Sequence, residues 1–179
     1  YVSNTEWTKS FSGKFYGNNS NMGGAIYITK GTLDIKGGTF VGNAAYYGGA
    51  IYAKNTTAGT NLVVNIANAK FFTSPSYSTT TANRAYHAGG NIYIESTAGT
   101  ATLNIKAGTD LGYGYTTNPA FANAIVAAGG NVWAKNATVN MTGGTVIGGY
   151  SINGGNFYME DGATDTVYSL NISGGTVSG

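Results

Sequence analysis

No cysteine occurs in these 179 residues, so no disulfide holds the fold and no compartment can be read from thiol usage. Charge is scarce as well, at 9% of residues and a net of +2. The lysines are scattered and Arg84 is the only arginine, which argues against a nucleic-acid partner. There is one histidine, His87, and no Cys to join it at a metal, so no metal or cofactor is expected. No apolar run is long enough to span a bilayer, and no membrane insertion is expected. Low charge and 29 glycines could mark disorder, but 13% aromatic and 42% hydrophobic residues suffice for a core. The chain opens at Tyr1 without Met. With its neutral Thr/Asn/Gly-rich composition, that leads us to expect a processed, exported protein, extracellular or on the cell surface. The length fits one domain, 1–179.

What the chain has is a recurring phrase: Gly-Gly, Ala or Asn, an apolar residue, then Tyr or Trp. It stands at Gly23–Tyr27, Gly48–Tyr52, Gly89–Tyr93, Gly129–Trp133 and Gly154–Tyr158, in steps of 25, 41, 40 and 25 residues. Such periods mark a solenoid, in which one repeat cannot bury its apolar side but stacked repeats can.

Two further phrases follow each copy. The first alternates apolar-polar-apolar: Leu33-Asp34-Ile35, Val64-Asn65-Ile66, Leu103-Asn104-Ile105, Val139-Asn140-Met141 and Leu170-Asn171-Ile172. The second begins near Gly38, Ala69, Gly108, Gly144 and Gly175. Short strict alternation is a strand signal, and glycine pairs fit sharp corners. Three strands in fixed order per turn give an all-β, three-faced parallel β-helix whose equivalent residues stack at about 4.8 Å. Ile26, Ile51, Ile92, Val132 and Phe157 then form one inward column, and Leu33, Val64, Leu103, Val139 and Leu170 a second. Phe40, Phe71, Val146 and Val177 belong to a third, which Asp110 interrupts; a bulge or register shift is expected there.

Phe15-Tyr16-Gly17-Asn18 precedes Gly23-Gly24-Ala25-Ile26, and Phe40-Val41-Gly42-Asn43 precedes Gly48-Gly49-Ala50-Ile51. This FxxN…GGAI pairing resembles the repeat of the polymorphic outer-membrane protein family of secreted adhesin passengers. The resemblance is close in the first two repeats and looser afterwards. It implies a right-handed β-helix, secretion and adhesion to surfaces.

Aligning Lys14 with Thr39 places Phe15 on Phe40, and counting back places Tyr1 on Ile26, with Thr8 and Ser10 at the inner positions of the second strand. The chain then divides into about six rungs, 1–22, 23–47, 48–88, 89–128, 129–153 and 154–179, or about 29 Å of rise. No capping helix, charged segment or proline-bearing segment stands at either end, where an open edge would recruit another chain. Tyr1, Val2, Trp7, Phe11 and Phe15 at one end, and Phe157, Tyr158, Leu170, Ile172 and Val177 at the other, are the expected self-assembly edges.

Outward positions also stack. Tyr27, Tyr52, Tyr93, Trp133 and Tyr158 are expected to form one exposed aromatic column, stabilising the sheet or offering a face to sugars or protein. Asp34, Asn65, Asn104, Asn140 and Asn171 are expected to form an amide ladder. Two rungs carry insertions, Thr73–Ala88 and Gly112–Ala128, expected to pack together as one bump. They hold both prolines, the Arg and the His. Tyr77, Arg84, Tyr86, His87, Tyr113, Tyr115 and Phe121 are their candidate ligand or lateral-contact residues. Asn18, Asn55, Asn136, Asn140 and Asn171 open N-x-Ser/Thr sequons.

β-Helices can host polysaccharide lyases and hydrolases, which need clustered carboxylates. Of the seven acids here, Glu160, Asp161 and Asp165 share one loop that could hold a cation weakly but reads as solvated surface, and the others lie apart. Glu95 and Glu160 flank Lys135 in a column that reads as a salt-bridged ladder, so no enzyme is expected. The preferred function is a structural subunit stacking head to tail into an extracellular filament, its partner another copy of itself. The alternatives are a cell-surface adhesin, or a fragment of one, that holds glycans or proteins, and then a polysaccharide-cleaving enzyme.

Overall fold

The computed structural model describes residues 8–72, 82–113, 126–149, 151–162 and 168–179. These residues form strands joined by turns, with no helix among them. Every strand pairing is parallel and joins residues one repeat apart. Eleven strands make one sheet and four make a second. Several strands run through two of the expected phrases without a break: β1 (Thr8–Tyr16), β3 (Gly31–Val41), β5 (Ile51–Ile66), β8 (Ile92–Ile105), β12 (Thr138–Ile147) and β15 (Ser169–Ser178). Shorter ones carry one phrase each: β2 (Ile26–Ile28), β6 (Ala69–Phe72), β9 (Asp110–Tyr113), β11 (Val132–Lys135) and β14 (Phe157–Glu160). Among these, β3, β5, β8, β12, β9 and β6 close into a ring of parallel pairings.

The ring encloses the core. Ile26, Ile51, Ile92, Val132 and Phe157 align in register, as do Leu33, Val64, Leu103, Val139 and Leu170. The middle members of each column are wholly buried. In the third column Phe15, Phe40 and Phe71 stack face to face, with ring centres 4.6 and 4.3 Å apart and planes within 7°. Such offset stacks add to simple area burial. Below them the column continues through Leu111, Val146 and Val177.

The anticipated register shift at Asp110 is present, and it repairs the column. Ile105 is followed by one residue more than its equivalents before the next strand resumes: Met141 and Thr145 pair with Ile105 and Asp110. The extra residue forms a turn at Ala107 and Gly108, the latter at φ +74°. Leu111 thereby takes the inward position, and Asp110 turns outward opposite Lys70. Burial pushes its carboxyl above the usual carboxylate range, which Lys70 partly opposes.

The first repeat differs from its expected alignment. A register shift between Phe11 and Ser12 sets Lys9 opposite Leu33 and Phe11 opposite Ile35. Phe11, rather than Ser10, therefore holds the inner register position, because β1 is one residue shorter there than β3. Tyr1, Val2 and Trp7 lie outside the described residues.

A fourth strand, present in the four repeats between the first and the last, was not legible in the sequence. β4 (Ala44–Tyr47), β7 (Arg84–Ala88), β10 (Val126–Ala128) and β13 (Ser151–Asn153) form the second sheet. The chain leaves each for the next repeat through the Gly-Gly corner. At Gly48, φ is +63° and a Cβ would lie 2.1 Å from the Ile51 carbonyl oxygen, so only glycine fits. Interlayer hydrogen bonds continue through these corners, as from Gly48 N–H to Ala88 O and from Gly49 N–H to Gly89 O.

Along the seam between the two sheets runs a file of six asparagine amides. Asn18 donates to Asn43 at 2.8 Å, Asn43 to Asn83 at 2.8 Å, and Asn83 to Asn91 at 3.0 Å. Asn91 donates to Asn131 at 2.6 Å, Asn131 to Asn156 at 2.8 Å, and Asn156 to the Ser178 carbonyl at 2.8 Å. The four middle members are buried. In three of the four the second amide hydrogen also finds a carbonyl: Asn43 bonds Phe15 O, Asn83 bonds Phe40 O and Asn131 bonds Ile147 O.

The file draws on two sequence positions. Asn18, Asn43 and Asn83 come from the segment after the third strand, whereas Asn91, Asn131 and Asn156 come from the Gly-Gly-Asn phrase. Repeats that open Gly-Gly-Ala follow the first kind. Where Gly149 stands in place of that first asparagine, Asn156 fills the space and accepts Gly149 N–H at 3.0 Å. A Cβ on Gly149 would lie 2.0 Å from Gly155 O, so no side chain fits at that place.

The surface ladder forms as expected, in the opposite direction. Asn65 donates to Asp34, Asn104 to Asn65, Asn140 to Asn104 and Asn171 to Asn140, at 2.7–2.9 Å.

An unsatisfied buried polar group costs about 1–3 kcal/mol, whereas a solvated one can turn to water. Asn83→Ala strands partners on Asn43, Asn91 and Phe40, and should lower unfolding free energy by at least about 2 kcal/mol. Asn104→Ala on the surface ladder should cost less than about 1 kcal/mol. Equal losses in urea titrations of the two variants would refute this ranking.

Candidate functional site: open layers and an aromatic face

The two ends of the stack leave apolar positions uncovered. β14 and β15 pair on one side only, with β11 and β12, among the described residues. Val139, Met141 and Val146 are fully enclosed, but one layer on their register partners Leu170, Ile172 and Val177 are exposed, Ile172 by 50%. Phe157 is half-buried. At the other end β1 and β2 likewise pair on one side among the described residues, with β3 and β5, and Ile26 and Ile28 are only partly buried. An apolar face beside backbone without a partner among the described residues is the pattern that recruits a further strand layer.

The aromatic column exists but is not a surface. Tyr27, Tyr52, Tyr93 and Trp133 stack at 5.3, 4.8 and 4.2 Å with planes within 13°. Its central members Tyr52, Tyr93 and Trp133 are buried against Ala88 and Ala128, with Tyr47 and Tyr158 packed beside them. The second sheet supplies this cover: the residue before each Gly-Gly lies against the rings. Strand alternation had placed these rings outward, which is correct for the ring of strands. It could not reveal that another sheet lies outside it. Only Tyr27 and Tyr158 keep partial access to solvent.

Beside the column Lys54, Glu95, Lys135 and Glu160 alternate in register. Lys54 pairs with Glu95 at 2.9 Å and Lys135 with Glu160 at 2.6 Å, and the Tyr93 hydroxyl donates to Glu95 at 2.7 Å. Glu95 and Glu160 are thus held in ion pairs. The bond to Glu160 raises Lys135 above its ordinary value. Burial first, then the carboxylate of Glu95, pushes the phenols of Tyr52 and Tyr93 far above the ordinary tyrosine value. No group of three or more His, Cys, Asp or Glu side chains is placed to hold a metal among the described residues.

The exposed aromatics lie instead on the outer face of the second sheet. Tyr46 and Tyr86 are 51% and 56% exposed, and His87 is exposed between them. The His87 ring centre is 5.5 Å from that of Tyr46 and 4.9 Å from that of Tyr47. The Arg84 guanidinium sits 5.2 Å from the Tyr86 ring centre. A register irregularity between Ala45 and Tyr47 sets Tyr46 opposite two residues, Tyr86 and His87, and both project outward. Arg84, Tyr86 and His87 were legible as contact residues; Tyr46 and Tyr47 were not. Their signal was the match of Ala45-Tyr46-Tyr47 to Ala85-Tyr86-His87 ahead of Gly-Gly. Tyr113 pairs in register with Phe72, while Tyr77, Tyr115 and Phe121 lie outside the described residues, as does the expected joint bump.

Two of the five sequons are closed in the folded protein. Asn55 and Asn136 are buried, and their amides donate to Thr60 O and Thr100 O, and to Ser96 O, respectively. Their corner positions, not their strand phrase, account for this. Asn18 and Asn171 are exposed and Asn140 is half-buried.

Searches of protein-family models, curated proteins and solved structures return no match to this chain. The fold defines the class: an all-β protein of parallel, in-register layers.

The buried phenols set a pH limit. Their folded-state pKa values exceed the unfolded value near 10, so their contribution is complete below about pH 10 and is lost as pH rises beyond it. Stability to urea should hold from about pH 7 to 9 and fall above about pH 10. Tyr93→Phe should flatten that fall; an unchanged alkaline slope in this variant would count against the assignment.

Proposed function

We propose that this chain is a right-handed parallel β-helix that serves as a structural subunit of an extracellular filament, joined head to tail by its uncovered layers. The observation that carries the reading is the exposure of Leu170, Ile172 and Val177 at register positions that are enclosed one layer earlier. A second copy supplying the next layer would set Phe11 on Ile172 and Phe15 on Val177 if the existing register continues. Such a contact is heterologous and does not close, so it grows into a fibre.

The amide ladders fix the polarity of that fibre. Within each ladder every side chain donates in one direction. Stacking in the same direction continues donor onto acceptor, and stacking head to head opposes like groups. Ser10 holds the register position of the surface ladder in the first repeat, opposite Asp34.

A second reading, a cell-surface adhesin, is favoured by the exposed cluster of Tyr46, Arg84, Tyr86 and His87. Both readings place the protein outside the cell and neither requires a catalytic group.

Electron microscopy of concentrated protein should show filaments with an axial repeat of about 29 Å. Ile172→Lys changes an exposed side chain, so folding stability should move by no more than about 0.5 kcal/mol while filaments disappear. Monodisperse wild-type particles at high concentration would overturn the filament reading.

A further inference from the structure

We infer that the outer face of the four-stranded sheet binds a carboxylate-bearing polysaccharide. Arg84 would pair with the carboxylate, and the Tyr46 and His87 rings would carry a sugar face. The inference rests on the adhesin reading and is independent of polymerisation.

The cluster has three properties that a buried or purely structural group of rings lacks. First, its cation is unspent. The ion pairs of the described residues use Lys54 with Glu95 and Lys135 with Glu160, and neither includes Arg84. The Arg84 Nε–H is enclosed yet has no hydrogen-bond partner among the described residues. With Nε enclosed, the two terminal nitrogens form the edge open to a ligand, and a planar guanidinium fork matches a carboxylate with two parallel bonds. The aromatic contact from Tyr86 holds the fork in place without using its hydrogen-bonding edge.

Second, the rings are presented rather than packed. Ala85 and Ala88 point into the protein, while the irregular pairing opposite Tyr46 turns both Tyr86 and His87 outward. Bulges of this kind re-aim side chains at functional surfaces. Tyr46 and His87 lie with planes 30° apart, forming a shallow platform. Aromatic faces of this sort suit the apolar faces of sugar rings and leave their hydroxyls to water.

Third, the electrostatics select the ligand. The described acids lie elsewhere: Asp34 in the surface amide ladder, Glu95 and Glu160 in the ion-pair column, Asp110 on β9 and Asp161 just after β14. The cluster itself carries Arg84 and no acid. A neutral glycan would leave the Arg84 donor unanswered. A second copy docked face to face across a two-fold axis would bring like cations onto one surface. An acidic saccharide answers both the charge and the rings.

The test compares polygalacturonate with its fully methyl-esterified form, which keeps the sugar backbone and removes the charge. Affinity is read by calorimetry at two salt concentrations. Wild-type protein should bind the free acid about tenfold to a hundredfold tighter than the ester, the value of a charge-assisted bidentate bond, with the difference narrowing as salt rises. Arg84→Gln should erase the preference and keep the weaker ester binding. Tyr46→Ala should weaken both. Should Arg84→Gln fail to fold, Arg84→Lys keeps the charge and loses the fork, and should bind the acid several-fold more weakly. Equal affinity for the two polymers overturns the inference and leaves the adhesin reading standing. Binding to neither overturns both.

Discussion

A side-chain amide can be enclosed only when its donor and acceptor ends are both met, and the seam of this protein carries a file of them. The file sets the distance and register between the ring of strands and the second sheet. Its members reach carbonyls of Phe15, Phe40 and Ile147 at the end of the third strand, while sitting beside the backbone that opens the fourth. Apolar columns tolerate small slips, because dispersion and the hydrophobic effect have little directional preference. Amide bonds near 2.8 Å do not. The apolar columns therefore supply the drive to stack, and the amides specify which stack forms. The glycine corners permit both, since they let interlayer bonding continue where the chain reverses.

The columns were readable because the same residue kind recurs at one place in each repeat, and parallel in-register pairing turns that recurrence into contact. The break at Asp110 was itself informative: a charge in an apolar column meant that the register must change nearby, and one added residue at the turn changes it. The surface amide ladder followed from the same reasoning. What escaped was local and non-periodic. Ala44–Tyr47 and Arg84–Ala88 do not alternate in hydrophobicity, because alanines face inward while Tyr46 and Tyr86 face outward. The usual guide to burial is inverted there, so a strand was missed. With it was missed the cover over Tyr52, Tyr93 and Trp133. The interior amide file was hidden because it changes sequence position midway, between Asn83 and Asn91. The first repeat misled for a simpler reason: counting without a gap cannot detect a residue lost between Phe11 and Ser12.

One aromatic file is buried and another is exposed, and the two lie on opposite sides of one sheet. Tyr52, Tyr93 and Trp133 bind the two sheets together, and Glu95 anchors one of their hydroxyls from a column of alternating charge. Tyr46, Tyr86 and His87 lie only one sheet away and touch that interior through Tyr47, whose ring meets both His87 and Tyr93 at about 5 Å. A rigid interior can thus hold an outer platform in place, which favours tight recognition at small entropic cost.

The hand-over from Asn83 to Asn91 divides the repeats into two kinds that cannot be shuffled. Among the described repeats, those that open with Gly-Gly-Ala carry the later asparagine, Asn43 or Asn83, and the one that opens with Gly-Gly and Asn131 carries Gly149 in its place. Lengthening such a protein by duplication is therefore constrained by dialect: each kind of unit extends with its own, and among the described residues the Asn83–Asn91 bond is where the two are translated.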